Sequence, residues 1–87
     1  EAMSVDDVST QIASIRNSLQ KSKFLQVTTK IVALKKMLKE FNKESLANAL
    51  IHDVAELAKL PKAEQKPELI EKKLTEIDVE ISGFRQL

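Results

Sequence analysis

The chain has 87 residues, of which 14 are lysine or arginine and 13 are acidic, with a single glycine, two prolines and no cysteine. A chain of this length folds as one domain around one hydrophobic core, and the lack of cysteine excludes disulfides, thiol nucleophiles and thiolate metal sites. No apolar run reaches the ~20 residues that are needed to cross a bilayer. We therefore expect one intracellular domain over residues 4–87, which is all-α because helix breakers are so few.

The net charge of +1 hides a strong unevenness along the chain. Residues 21–43 contain seven lysines and one glutamate. The regions on either side are net negative, apart from a second, smaller positive stretch at residues 59–66. This pattern has two interpretations: a solvated lysine face, or a surface that steers acidic partners toward the domain.

The first predicted helix covers residues 5–21. Ser4 is a suitable N-cap, and Asp6 and Asp7 follow in the first turn, where the helix dipole favours negative charge. Large apolar residues then alternate at spacings of three and four, which is typical of one buried helical face. They are Val5, Val8, Ile12, Ile15 and Leu19. This pattern is too short for an independent coiled coil, but self-association through it is one alternative.

The second predicted helix covers residues 25–41 and follows a connection at residues 21–24. In its middle the apolar arc widens to include Val32 and Ala33, so we expect neighbours on at least two sides and a central position in a bundle. Phe24, in the connection, has two interpretations: it packs onto this helix, or it is a partly exposed residue at the rim of a binding surface. The buried face is formed by Val27, Ile31, Leu34, Leu38 and Phe41.

A third helical segment covers residues 43–60, for which Asn42 is a candidate N-cap. Its apolar positions are compatible with one helix or with two short helices that meet at a bend near Ala49. Residues 61–67 begin and end with proline and are predicted as a loop. The buried face of this segment is formed by Leu46, Leu50, Val54, Leu57 and Leu60.

The last predicted helix begins at Pro67, which suits the first helical position, and two glutamates follow near its positive end. Gly83 is placed as its C-terminal stop. The buried face is formed by Ile70, Leu74, Ile77, Ile81 and Phe84, and Leu87 is expected to pack beside them. Of the whole core, we expect the deepest burial at Ile31, Leu34, Leu50, Leu74 and Ile77.

The sequence contains no arrangement typical of catalysis or metal binding. His52, the only histidine, lies on the polar side of its helix, so we expect an exposed surface residue. Acidic pairs such as Asp6 and Asp7 have no nucleophile or metal-ligand spacing beside them. One glycine is too few for a phosphate-binding loop, and no tryptophan or tyrosine is available to stack on bases. We expect no catalytic residue, no metal, no cofactor and no small-molecule substrate.

Three passages of the chain resemble a known family. They are Ile15-Arg-Asn-Ser-Leu19, Leu25-Gln-Val27 together with Ile31-Val-Ala-Leu34, and Leu50, Val54 and Leu57 running into Lys59. Over most of residues 12–84 the order of apolar residues is similar to the N-terminal domain family of transcription elongation factor TFIIS, in particular to the integrase-binding domain of lens-epithelium-derived growth factor. The resemblance implies a compact right-handed bundle of four to five helices, located in the nucleus, that catalyses nothing.

The resemblance also implies a kind of partner. Domains of that family bind short, disordered, acidic segments of nuclear transcription and chromatin proteins, often through a Phe, at a rim formed by two interhelical loops. The corresponding loops here are residues 21–24 and 59–65. In integrase-binding relatives the first loop has an apolar residue and an Asp, whereas here Phe24 provides the apolar group and no acid is present. The second loop of those relatives has a Phe, where this chain has Leu60 and smaller apolar residues.

The implied partner site consists of Lys21, Lys23 and Phe24 from the first loop and Lys59, Leu60 and Lys62 from the second. The apolar anchor of the partner would lie between Phe24 and Leu60, with its acidic residues at the lysines. We expect a monomer that makes no membrane contact. Two other function classes stay open. One is a helical assembly subunit. The other is a domain that binds nucleic acid through phosphate contacts without sequence preference, which the low arginine count and the near-neutral charge disfavour.

Overall fold

A computed structural model describes residues 4–86. It contains four α-helices, α1 (Val5–Gln20), α2 (Phe24–Lys39), α3 (Glu44–Ala58) and α4 (Glu68–Ser82), and two short 3-10 turns, Lys62–Glu64 and Gly83–Gln86. No strand occurs in this part of the chain. The predicted all-α bundle is therefore confirmed, with four helices. The third segment is one helix and has no break at Ala49.

The four helices form a ring in which each contacts its two neighbours. The first and third helices both pack against α2 and against α4. Hydrogen bonds show that α1 runs antiparallel to both of its neighbours. Toward α2, Gln11 Nε2 donates to the Lys30 carbonyl oxygen at 2.9 Å while Ser18, later on α1, bonds to Gln26, which is earlier on α2. Toward α4, Ser9 Oγ donates to Asp78 Oδ1 at 2.7 Å while Arg16 donates to the carbonyl oxygen of the earlier Glu71. The connections at residues 21–23 and 59–67 consequently lie at one end of the bundle, which we call the two-loop end. The connection at residues 40–43, the start of α1 and the end of α4 lie at the far end.

The core consists of the apolar faces that the periodicity predicts, with one exception: Leu60, predicted on the buried face of the third helix, lies beyond the end of α3 and is 43% exposed. All five residues expected to be most deeply buried are at most 3% exposed. The fully or almost fully buried set is Val8, Ile12, Ile15, Leu19, Val27, Ile31, Leu34, Leu38, Ala47, Leu50, Val54, Leu57, Ile70, Leu74, Ile77 and Ile81. Two neighbours do cover α2, as expected, but Val32 and Ala33 are exposed. The helix thus occupies a corner of the ring, because a four-helix ring has no central position.

Two helices end in a left-handed residue. Ser22 and Asn42 have φ angles of 57° and 58°, and each is followed by a lysine whose amide reaches back five residues, to Ser18 and Leu38 respectively, at 3.0 Å. This is the Schellman arrangement, which satisfies carbonyl groups left unpaired at a helix C-terminus. Asn42 therefore ends α2, and its predicted role as the N-cap of α3 is wrong. The N-cap position of α3 is Lys43, whose side chain makes no capping bond.

The remaining helix ends agree with the sequence to within a residue or two. Ser4 caps α1 through a capping box with Asp7, since the Ser4 Oγ accepts from the Asp7 amide and the Asp7 carboxylate accepts from the Ser4 amide. Pro67 lies one position before α4, which begins at Glu68. Gly83 follows the last residue of α4 and keeps right-handed angles, so the chain continues into a 3-10 turn. Leu87 lies outside the described residues.

The far end is closed by an aromatic pair. The rings of Phe41 and Phe84 have centroids 5.1 Å apart at a tilt of 54°, a geometry that aromatic rings favour. Both side chains are half-buried against the core. Among residues 4–86, no helix combines the length and the apolar character required for crossing a membrane.

Candidate functional site

The first connection at the two-loop end is short and basic. Lys21 and Lys23 are both exposed on either side of the left-handed Ser22, which turns the chain from α1 into α2. Phe24 is the first residue of α2, not part of the connection, and its half-buried ring packs against the core. Leu25, which follows it, is 82% exposed. The first loop thus presents two lysines and a leucine to solvent, and its phenylalanine mainly supports the fold.

The second connection is longer and is held by its own hydrogen bonds. The Leu60 amide donates to the Leu57 carbonyl oxygen at 3.1 Å, which extends the end of α3 by a turn. The side-chain amide of Gln65 donates to the Leu60 carbonyl oxygen at 3.0 Å and so folds the 3-10 turn back onto the end of α3. Residues 61–67 therefore contain an ordered turn, where the sequence predicts only a loop. Gln65, absent from the predicted site, fixes the position of Leu60.

An apolar groove of about 230 Å³ opens between the end of α3 and the start of α4. Its apolar lining comes from Leu57 and Leu60 on one side and from Leu69 and Ile70 on the other, and its charged lining comes from Asp53, Glu56 and Lys66. Leu60 is 43% and Leu69 is 59% exposed, so both stand at the rim. Phe24 is not among the lining residues. The groove is thus formed by α3, α4 and the connection between them, and the anchor position expected between Phe24 and Leu60 stays a prediction.

The charges around this groove are arranged unevenly. The side chain of Lys73 pairs with Asp53 and neutralises it, and both side chains are largely shielded from solvent. Lys59 Nζ lies 3.9 Å from Glu56 Oε1, but both side chains are well exposed, so this pair leaves the lysine available to a ligand. Lys62 is exposed in the 3-10 turn, and Lys66 lines the groove. One lysine of the second connection, Lys66, therefore lines the groove, and two more exposed lysines, Lys59 and Lys62, lie in the same connection.

The structure brings the predicted site residues to one end of the bundle without joining them into one pocket. Leu60 lines the groove and Lys59 and Lys62 lie beside it in sequence, whereas Lys21 and Lys23 belong to the other connection. The sequence reading missed the part of the groove contributed by α4. Leu69 does carry a sequence signal, because it lies one position before the buried face of α4 and is a large apolar residue off that face.

Other chemistry is not evident at this surface. His52 is exposed, as predicted. Within residues 4–86, no three histidine, cysteine or acidic side chains are grouped so that they could hold a metal ion. Comparisons of the chain with protein-family models, with curated proteins and with solved structures found no match. Function is therefore inferred from the chemistry of the two-loop end.

Proposed function

We propose that the chain is a non-catalytic protein-interaction domain whose two-loop end binds a short, acidic, disordered segment of a nuclear transcription or chromatin protein. The observation that supports this most is an open apolar groove lined by Leu60, Leu69 and Lys66, in a connection that also carries the exposed Lys59 and Lys62. An apolar cleft next to a lysine-rich connection suits a segment that has one apolar anchor between acidic residues. The resemblance to the TFIIS N-terminal domain family supports the nuclear context and a Phe as the anchor.

The anchor supplies most of the binding free energy in this proposal. Complete burial of a Phe side chain contributes about 1.5–3 kcal/mol, and Leu57, Leu60, Leu69 and Ile70 form the apolar walls that would cover it. Truncation of a wall residue removes contacts made only in the complex. We therefore expect Leu60→Ala to speed dissociation while association changes little.

The lysines act mainly on the rate of association. Lys59 and Lys62 are exposed, and exposed ion pairs contribute only ~0–1 kcal/mol each. Their field nevertheless raises the encounter rate of an acidic segment, most strongly at low salt. Because a disordered segment loses conformational entropy when it binds, we expect dissociation constants in the micromolar range.

An amide-shift titration of the ¹⁵N-labelled domain with an acidic, Phe-containing peptide tests the proposal. Shifts are expected at residues 57–70, with smaller ones at residues 21–25, and a peptide in which Ala replaces the Phe should bind at least ten-fold more weakly. Leu60→Ala should weaken binding, whereas Val79→Ala, which truncates a more exposed apolar residue on α4 outside the groove, should not. Shifts confined to other faces, with both connections silent, would contradict this site.

A further inference from the structure

Four of the five large apolar side chains that are exposed among the described residues lie in two pairs on opposite helices. Leu25 (82% exposed) and Val32 (43%) lie on α2, and Leu69 (59%) and Val79 (68%) lie on α4. The fifth, Leu60, belongs mainly to the groove described above. Single exposed apolar residues are common on protein surfaces, but these two pairs lie on a helix rich in lysine and a helix rich in acidic residues.

The charges on α2 and α4 are complementary. The α2 helix contains four lysines and no acidic residue, whereas α4 contains five acidic residues and two lysines. On α2, Leu25, Val32 and Lys36 are exposed at spacings of seven and four. On α4, the same spacings relate the exposed Leu69, Glu76 and Glu80. These spacings place each trio on one side of its helix.

We call the two surfaces the basic face (Leu25, Val32, Lys36 and Lys39 of α2) and the acidic face (Leu69, Glu76, Val79 and Glu80 of α4). The two faces lie at opposite corners of the ring, on either side of α3: Lys36 and Lys39 line a groove with the start of α3, and Glu76 and Glu80 line another groove against α3. One molecule therefore cannot bring its own two faces together. A second copy can.

The two faces also match in direction and height. Both helices run antiparallel to α1, so they run parallel to each other. Near the end of α1, Ser18 bonds to Gln26 of α2 while Arg16 bonds to Glu71 of α4, which places the starts of the two helices at the same height along the bundle. Since α2 begins at Phe24 and α4 at Glu68, Leu25 lies level with Leu69, and Lys36 lies level with Glu80.

A groove on the basic face provides a place for the remaining apolar residue. It has a volume of about 320 Å³ and is lined by Val32, Lys35, Lys36, Lys39 and Glu44. Counted from the helix starts, Val79 lies at the height of Lys35 and thus of this groove. A second copy, rotated so that its acidic face meets this basic face, would bring its Val79 to the groove and its glutamates to the lysines.

We propose that this chain associates with itself through the basic face of one copy and the acidic face of the next. The contact is heterologous, since it joins two different surfaces, and it leaves one face of each kind free for further copies. This proposal departs from the monomer that we expected from the sequence, and it uses α2 and α4 where the alternative considered there used α1. It does not require the proposed acidic partner at the two-loop end, although Leu69 of the acidic face also lines the groove there.

Sedimentation velocity over a wide range of protein concentration is the primary test. At low ionic strength the weight-average mass is expected to rise with concentration beyond that of a dimer. At about 0.5 M salt the Debye length falls to a few ångströms, so the chain should return toward the monomer. A chain that stays monomeric at every concentration at low salt overturns the proposal.

Charge exchange then tests which faces are in contact. The variants K36E/K39E and E76K/E80K each place like charges opposite one another and should weaken association at least ten-fold. A single chain with all four substitutions restores opposite charges and should regain association. The control K21E/K23E makes the same change in net charge as K36E/K39E, but at the two-loop end, and should associate as the unchanged chain does.

Folding is checked separately, because Glu80 also pairs with Lys43 within the chain at 2.9 Å. Circular dichroism melts identify any variant that fails to fold, and V79D, at a site that is 68% exposed, offers a second disruption of the acidic face without the loss of that pair. Association that survives either charge exchange, or that the fourfold variant does not restore, shows that other surfaces are in contact and overturns the proposal. A response of K21E/K23E equal to that of K36E/K39E shows an effect of net charge alone and also overturns it.

Discussion

Leu34→Ala tests the arrangement of the core at a fully buried position. Leu34 lies in the middle of α2, between α1 and α3, and has no solvent exposure. The substitution removes buried apolar atoms and leaves a cavity that a ring of packed helices closes only partly, so a loss of about 2–5 kcal/mol is expected. For a domain with a total stability of roughly 4–13 kcal/mol this is a large fraction. The melting temperature should fall by about 10–30 °C.

The matched control is Val32→Ala, two residues earlier on the same helix. Val32 is 43% exposed, and alanine has the higher helix propensity, so the net change should stay within about 0.5 kcal/mol. Urea unfolding followed by circular dichroism gives both free energies, and equal slopes would show that both variants unfold from a comparably compact state. Equal losses in the two variants would refute the burial pattern described for α2.

Three further predictions concern the two-loop end and its charges. Ser22→Gly should unfold at the same or a higher temperature, while Ser22→Val should lose about 1–2 kcal/mol, since the left-handed angle is costly for a branched side chain; equal melting temperatures would contradict this. Stopped-flow measurements with an acidic peptide should show that the charge reversal K59E/K62E slows association and flattens its salt dependence, and an unchanged salt dependence would exclude steering by these lysines. Duplex DNA should bind weakly, without sequence preference and less at higher salt; tight, sequence-specific binding at high salt would be inconsistent with the few arginines of the chain.

The buried faces were predictable from the sequence because each is a local repeat. A residue such as Leu34 or Ile77 is identified by its apolar neighbours three and four positions away, and burial on one side of a helix is the direct result of that spacing. The wide apolar arc of α2 led to a wrong prediction, a central position for this helix, because the number of helices that cover it does not depend on local spacing. Val32 is apolar like its buried neighbours, and the sequence does not contain the information that only two helices cover α2.

Helix ends were less predictable because one residue type suits several roles. Asn is favoured both as an N-cap and in the left-handed position after a helix. At Asn42 the path of the chain between α2 and α3 selects the second role, through the bond from the Lys43 amide to Leu38. The position of Phe24 at the start of α2 could have been predicted, since it lies three positions before Val27 on the same face and extends the helix by one residue.

The part of the candidate site that lies within one connection could be predicted from the sequence. The part that depends on the packing of two helices could not. Lys59, Leu60 and Lys62 are adjacent in sequence, so any exposed turn there would present them together. The groove requires Leu69 and Ile70 as well, and their distance from Leu57 depends on how α3 and α4 pack. The role of Gln65 could not be predicted for a similar reason. Its side chain donates to the Leu60 carbonyl oxygen, and the two groups are close only in the folded turn.

The closure of the ring by α1 and α4 has a mechanical consequence. These helices are antiparallel, so Val5 and Ser82 both lie at the far end. A stretching force that pulls Val5 away from Ser82 therefore separates α1 from α4 one turn after another. The bond from Ser9 to Asp78 would be loaded first, and the bond from Arg16 to Thr75 only after the turns between them had opened. Such unzipping loads one contact at a time, whereas shearing loads all contacts at once. The domain should therefore unfold at low force when it is pulled by Val5 and Ser82, even though its core residues are buried.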